Sequence, residues 1–329
     1  MICEKEGVDF AMNIVWIGCH EEGLQAFKSV LERGKKIKAF ITLDEDAYLK
    51  RSAGSRLYQK YCEDYSVEYH TVDTIKGEYA HDLISGNMPD LLVVLGWSEI
   101  LPERLLDIPT IGTVGTHASL LPHNRGSAPV NWTLIRGEQI TGNTMMWLNK
   151  DVDKGEIIDQ MEIPITIYDT CKTLYDQVAV TNMKMLNKLI EKLERGEKPL
   201  FPVKNESEEA ILPRRRPKDG LIKWNQTGRK IYDFIRALTK PYPGAFTYLS
   251  GEKWTVWEAA LLPVSSKDNG LGPGEILGNV YGFVRSVNGI VVGTEREMLL
   301  VTEVEDAQGI IYSGIELNDL NLKGIFKDE

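Results

Sequence analysis

The first half of the chain alternates short, mainly apolar runs with longer stretches of helical periodicity, and this pattern limits its fold more than any other feature. Ile14-Val15-Trp16-Ile17-Gly18, residues 37–43, Leu91-Leu92-Val93-Val94-Leu95 and residues 110–116 are the apolar runs; helical patterns occupy 23–32 and 53–63. A strand that is apolar at consecutive positions must be buried on both faces, which happens in a parallel sheet with helices packed on each side. The expected class is therefore α/β, a doubly wound, mostly parallel sheet. Gly18-Cys19-His20-Glu21-Glu22-Gly23, after the first strand, lacks the G-x-G-x-x-G spacing of a dinucleotide site, so it reads as a plain strand-to-helix turn.

The chain has 329 residues, more than one core usually holds, so a second domain is expected. Residues 173–193 carry apolar side chains at helical spacing and end in Arg195-Gly196, a helix stop that closes the first domain. Residues 198–217 combine four prolines with mixed charge and read as a linker. Beyond them come a short helix at 228–238 and strand-like segments at 245–249, 253–261, 282–287, 289–293 and 298–304 with glycine-rich turns, which predict a smaller β-barrel-like, OB-like domain or a sandwich. The expected boundaries are an extension at 1–11, a catalytic domain at 12–197, the linker at 198–217 and the β-rich domain at 218–329. Within the latter, Trp254 and Trp257 are candidates for core or for a dimer contact, and a homo-oligomer is left open.

Charge and composition exclude several classes. No apolar run approaches the roughly 20 residues of a membrane helix, and residues 1–11, with Glu4, Glu6 and Asp9, lack the order of a signal peptide, so a cytoplasmic location is expected. Cys3, Cys19, Cys62 and Cys171 are scattered without metal-ligand spacing, which points to reduced thiols and no metal site. A net charge of −10, with 15 Lys/Arg against 18 Asp/Glu over residues 206–329, disfavours a nucleic-acid surface.

The chemistry concentrates in two loop-like segments bounding apolar runs. One is Gly115-Thr116-His117-Ala118-Ser119-Leu120-Leu121-Pro122 with Asn124-Arg125-Gly126; the other is Asp151-Val152-Asp153-Lys154-Gly155. An imidazole and a carboxylate at strand ends can move a proton and stabilise an oxyanion, the minimum equipment for acyl transfer. Ser119 lacks a G-x-S-x-G elbow and reads as a loop brace.

His117-x-Ser119-Leu120-Leu121-Pro122-x-x-Arg125-Gly126-x-Ala128-Pro129, then Gly142-x-Thr144 and Asp153-x-Gly155, resembles the formyltransferase family that uses 10-formyltetrahydrofolate. The resemblance runs from Ile14 to about Pro263. Asn131-Trp132, Arg214-Arg215-Arg216-Pro217-x-Asp219, Ile222-x-Trp224 and Arg236-Ala237 with Pro241-x-Pro243-Gly244-Ala245-Phe246 look closest to members that formylate a nucleotide-linked aminosugar, such as UDP-4-amino-4-deoxy-L-arabinose formyltransferase; methionyl-tRNA formyltransferase is the nearest group outside these.

The resemblance implies a formyltransferase-type Rossmann-like domain, with His117 and Asp153 as catalytic residues and Ser119 beside them. It implies that Gly96, Trp97, Ser98, Ile100, Leu101, Asn149 and Val152 line the folate pocket, and that Asn124, Arg125, Asn131, Arg214, Arg215 and Arg216 hold the acceptor, the arginines on its phosphates. One position departs from the family pattern, which has an asparagine two residues before the histidine: here it is Gly115. Thr113, Thr116 or Asn131 could take over that amide's role, or backbone N–H groups with His117, or catalysis could be lost. Three readings therefore stand: a sugar-nucleotide N-formyltransferase, a methionyl-tRNA formyltransferase, and a catalytically impaired folate-binding homologue.

Overall fold

A computed structural model describes residues 12–50, 56–200, 210–280 and 288–328. The expected extension at 1–11 and strand at 282–287 lie outside the described residues, as do the first residues of the helix expected at 53–63 and part of the linker.

In chain order the first elements are β1 (Ile14–Ile17), α1 (Leu24–Glu32), β2 (Ile37–Leu43), α2 (Glu45–Lys50), α3 (Leu57–Tyr65), β3 (Glu68–Val72), α4 (Glu78–Asn87), β4 (Leu91–Val94), α5 (Glu103–Leu106), β5 (Gly112–His117), α6 (Pro129–Ile135), β6 (Ile140–Trp147), β7 (Ile157–Pro164) and α7 (Cys171–Glu194). The seven strands form one sheet in the order β3-β2-β1-β4-β5-β6-β7. Pairing is parallel from β3 through β5 and antiparallel between β5 and β6.

Alternation along the central strands builds two layers. Ile14, Trp16, Leu91 and Val93 pack with Phe27 and Val30 of α1 and with Met185, Leu186 and Leu189 of α7. Val15, Ile17, Leu92 and Val94 face the other way, onto Ala80 and Ile84 of α4 and Leu105 of α5. Each such side chain contributes about 1.5–3 kcal/mol of burial, so these strands are held in the core from both faces. Phe27 meets Trp16, Phe40 and Tyr58 edge-on, with centroids 5.2, 5.0 and 5.4 Å away. Burial pushes the Tyr58 phenol well above its ordinary pKa, helped by Glu22, and its hydroxyl donates to the His20 carbonyl at 2.8 Å.

The later elements are α8 (Gly228–Leu238), β8 (Ala245–Leu249), β9 (Glu252–Ser265), β10 (Ile276–Val280), β11 (Gly289–Val292), β12 (Glu297–Glu305), β13 (Ile311–Ser313) and α9 (Ile315–Asp319). The strands form an antiparallel sheet ordered β10-β11-β12-β9-β8, with β13 on β12. Isolated bridges of Ile325 to Glu275, beside β10, and of Lys327 to Tyr248, on β8, tie residues 325–327 to both sides of this ladder. Trp224 stacks on Phe326 at 5.5 Å and donates to Thr247 Oγ1 at 2.9 Å. Trp254 and Trp257 are core residues, each 8 % exposed.

By contacts the chain forms two compact units. The first holds the described residues of Met1–Gly126, Thr141–Ile163 and Tyr175–Ile211; the second holds Ser127–Ile140, Pro164–Leu174 and the described residues of Leu212–Glu329. The second thus includes α6, which packs on α8. Among the described residues no helix is long and apolar enough to cross a membrane.

Candidate active site

The parallel strands β1, β4 and β5 end together: Ile17 is level with Val94, and Val94 with Gly115. The chain therefore delivers His117 to the carboxyl edge of the sheet, where open α/β sheets bind their ligands. The loop after β4 begins there too. The Gly96 carbonyl accepts from Cys19 N at 2.9 Å and His20 N at 3.0 Å, which anchors the loop to the end of β1.

Beyond β5 the backbone is held by its own polar groups. Ser119 Oγ donates to the His123 carbonyl at 2.7 Å, so this hydroxyl braces the loop. Thr144 Oγ1, on β6, donates to the Ser119 carbonyl at 2.6 Å and accepts from Leu121 N at 3.0 Å. Gln160 Nε2, on β7, donates to the Leu121 carbonyl at 2.7 Å and to Thr144 Oγ1 at 2.9 Å. Together these bonds tie the first turns of the loop to β6 and β7.

The loop from β6 to β7 brings Asp153 to His117. His117 Nδ1 lies 3.5 Å from Asp153 Oδ1, with side chains 9 % and 15 % exposed. Its Nε2 makes a 2.9 Å hydrogen bond with the Asn124 carbonyl. A carbonyl and a carboxylate only accept, so the ring can donate to both only when both nitrogens carry hydrogen. Gly126 N donates to Asp153 Oδ2 at 3.1 Å, and Arg125 Nε to the Asp153 carbonyl at 3.2 Å. Asn124 and Asp153 both have a φ of 56°, the left-handed region that short polar side chains tolerate better than most. Gly155 is obligatory here, because a Cβ would overlap the Trp147 carbonyl oxygen.

At Gly115 a Cβ would stand 2.9 Å from Leu148 Cδ2 and 3.0 Å from Cδ1. Leucine thus fills the volume that an asparagine side chain would enter. Of the groups considered as substitutes, Thr113 Oγ1 donates to the Leu106 carbonyl at 3.2 Å. Asn131 is 1 % exposed, lies in the second unit, and donates Nδ2 to the Ala237 carbonyl at 2.5 Å.

The expected folate residues lie in the loops of the same sheet edge. Trp97 packs on the core with its indole N–H buried and without a hydrogen-bond partner among the described residues; Ile100 is exposed and Leu101 buried. Asn149 and Val152 are exposed in the turn before Asp153. A cleft of about 270 Å³ is lined by Glu103, Leu106, Asp107 and Leu148 through Asp151. The triple arginine belongs to the second unit. Arg214 and Arg216 are exposed. Arg215 lies over the rings of Trp132 and Phe234 at 5.0 and 5.4 Å, and burial lowers its pKa against the pull of Asp219. The sequence reading missed Gln160 and Leu148, which sit in no motif, and took Gly126 only as a spacing residue.

Comparison with known proteins gives the chain's family and its fold relatives. Residues 31–190 match the model of the formyl transferase family and residues 215–318 that of the formyl transferase C-terminal domain. Methionyl-tRNA formyltransferase of Geobacillus sp. (strain WCH70) is 32 % identical over 302 residues, 90 % of each chain. Among solved structures, HypX from Aquifex aeolicus in complex with tetrahydrofolic acid superposes with a TM-score of 0.64 at 17 % identity; the match covers 96 % of this chain and 48 % of that one, about half its length. WlaRD, a sugar 3N-formyltransferase solved with dTDP and 5-N-formyl-THF, gives a TM-score of 0.59 at 16 % identity, covering 91 % of this chain and 99 % of that one. The two structures establish likeness of fold, and the sequence matches establish kinship: this chain is an enzyme of the formyltransferase family.

Proposed function

We propose that the chain transfers the formyl group of 10-formyltetrahydrofolate to the primary amine of a nucleotide-linked aminosugar. The observation that carries this reading is the His117–Asp153 pair, buried at the carboxyl edge of the sheet and fixed from both sides.

The folate supplies an activated formyl carbon. The chain's residues must hold it, favour the oxyanion and handle the proton that the amine loses. His117 is the group to hydrogen-bond the developing oxyanion or relay that proton, with Asp153 orienting the ring. Because Leu148 occupies the space beside Gly115, the amide usual in the family is replaced by an apolar wall. More of the oxyanion stabilisation then falls on His117 and on backbone N–H groups. The cleft lined by Asp107, Leu148 and Asp151 offers carboxylates and an apolar wall to a flat ligand rich in donors such as a pterin. On the acceptor side, Asn124 is assigned to the sugar nucleotide.

The kinship with a methionyl-tRNA formyltransferase favours a second reading, in which the amine belongs to charged initiator tRNA. The acidic balance of residues 206–329 speaks against it, since a tRNA site needs a basic surface. The deciding experiment measures tetrahydrofolate release from 10-formyltetrahydrofolate with a panel of nucleotide-linked 3-amino and 4-amino sugars beside initiator methionyl-tRNA. Turnover on a sugar supports the proposal and turnover on tRNA alone replaces it. Folate binding without turnover would make Gly115 the mark of lost catalysis.

A further inference from the structure

We infer that Arg125 is a positioning residue for the His117–Asp153 pair, acting through Asp153 rather than on the acceptor; this rests on the formyl-transfer reading above. An arginine in a substrate-facing loop suggests a phosphate anchor, yet Arg125 is only 6 % exposed. Its Nε donates to the Asp153 carbonyl. The residues on either side act on the same pair: the Asn124 carbonyl meets His117 Nε2, and Gly126 N donates to Asp153 Oδ2. Three consecutive residues therefore hold the His117 ring, the Asp153 carboxylate and the Asp153 main chain, 36 positions apart in sequence.

Such a clamp is needed because of where Asp153 sits. Its neighbours Asn149, Lys150, Asp151, Val152 and Lys154 are all exposed, and its own backbone is left-handed. No apolar side chain of that turn anchors it. The carboxylate must nonetheless stay level with the imidazole, and the 3.5 Å separation leaves the pair itself too loose to hold its own geometry. A guanidinium is suited to this task, since its planar fork is always charged and loses little freedom per hydrogen bond formed.

The test compares wild type with Arg125→Ala, Arg125→Lys, Asp153→Asn and the Arg125→Ala/Asp153→Asn double variant, using the acceptor that wild type turns over. Arg125→Ala should lower kcat about 10- to 100-fold through misplacement of the pair. Acceptor KM should stay within about 3-fold of wild type, and Arg125→Lys, which can still donate to the Asp153 carbonyl, should recover part of the loss. Added to Asp153→Asn, the alanine should cost less than about 3-fold more, because residues acting as a unit are not additive. A tenfold rise in acceptor KM with kcat kept, or full multiplicative losses in the double variant, would overturn the inference in favour of a phosphate anchor. A second readout needs no acceptor: ¹⁵N spectra of the histidine rings, with His117 assigned through His117→Gln. Arg125→Ala should shift the His117 ring signals in the folded protein, and unchanged signals would refute the clamp. If wild type turns over no acceptor, the formyl-transfer reading fails while the spectra still decide the role of Arg125; if Arg125→Ala does not fold, Arg125→Lys supplies both readouts.

Discussion

Each compact unit holds a cluster in which a carboxylate faces a nitrogen side chain, and the two are built differently. In the second unit Arg236, 3 % exposed, donates Nε to Asp233 Oδ1 at 2.8 Å and Nη1 to the carbonyls of Thr166 and Asp169 at 2.8 and 2.7 Å. Its Nη2 is 2.8 Å from Asp233 Oδ1, close enough for attraction though not angled as a hydrogen bond. Arg229 Nε closes the other carboxylate oxygen at 2.7 Å. Both partners of the pair are on α8, three residues apart on regular helical backbone. The cluster around His117 instead joins two loops through left-handed residues, and its central pair is 3.5 Å apart. A closely bonded cluster centred on one helix holds a structure together. A looser one between loops leaves an imidazole able to change partners, which is what proton transfer requires.

Substitutions can break this contrast. The largest effect is expected at the loose cluster: His117→Ala and Asp153→Ala should each cut turnover by about 10²- to 10⁴-fold, the range of general acid–base catalysis, with melting temperatures close to wild type. A fall in stability that matched the fall in rate would make this cluster structural like the other. The reverse is expected at the closely bonded one. Asp233→Ala strands a buried guanidinium and should destabilise the protein by about 3–5 kcal/mol in denaturant titrations, while activity per folded molecule persists. Gly115→Asn should lower activity and cost about 1–3 kcal/mol by overpacking against Leu148, and Leu148→Ala in the same chain should relieve it. If the single variant is instead more active than wild type, the apolar wall is not part of this enzyme's site.

The smallest effect is expected at Asp169, which joins Thr166 to α7. Burial alone would raise its pKa, but hydrogen bonds from Thr166 and Thr173, with the charge of Arg236, bring it below the usual carboxylate value. Its contribution is then complete above the unfolded carboxylate pKa and is lost as pH falls through the lower folded value. Asp169→Asn should cost about 1–2 kcal/mol at neutral pH and flatten the loss of stability in acid. An unchanged acid limb of the stability curve would show that Asp169 is not coupled to folding.

The strands read most readily from sequence were those with consecutive apolar residues, β1, β2 and β4, because burial on both faces leaves no other composition. β6 was missed: Ile140-Thr141-Gly142-Asn143-Thr144 looks polar, yet Asn143 and Thr144 are fully buried. Asn143 Nδ2 donates to Asn182 Oδ1 at 2.6 Å and Thr181 Oγ1 at 2.9 Å, partners on α7 that no local pattern announces. β3 and β10 escaped because they lie at sheet edges, partly exposed, where no apolar run is required.

For the site, the sequence by itself determined which residue types are available: a histidine, an aspartate and a run of small and polar loop residues in an order that marks the family. It also determined the doubly wound core, since strands apolar on both faces can be satisfied in few other ways. Only the tertiary structure decided what these residues do to one another. It placed Gln160 under the loop, set Leu148 against Gly115, and turned Arg125 inward to Asp153, because those relations depend on side chains from separate strands converging at one sheet edge. A sequence records the period of a strand, but the direction in which a loop arginine points is set by the acceptors that folding brings within its reach.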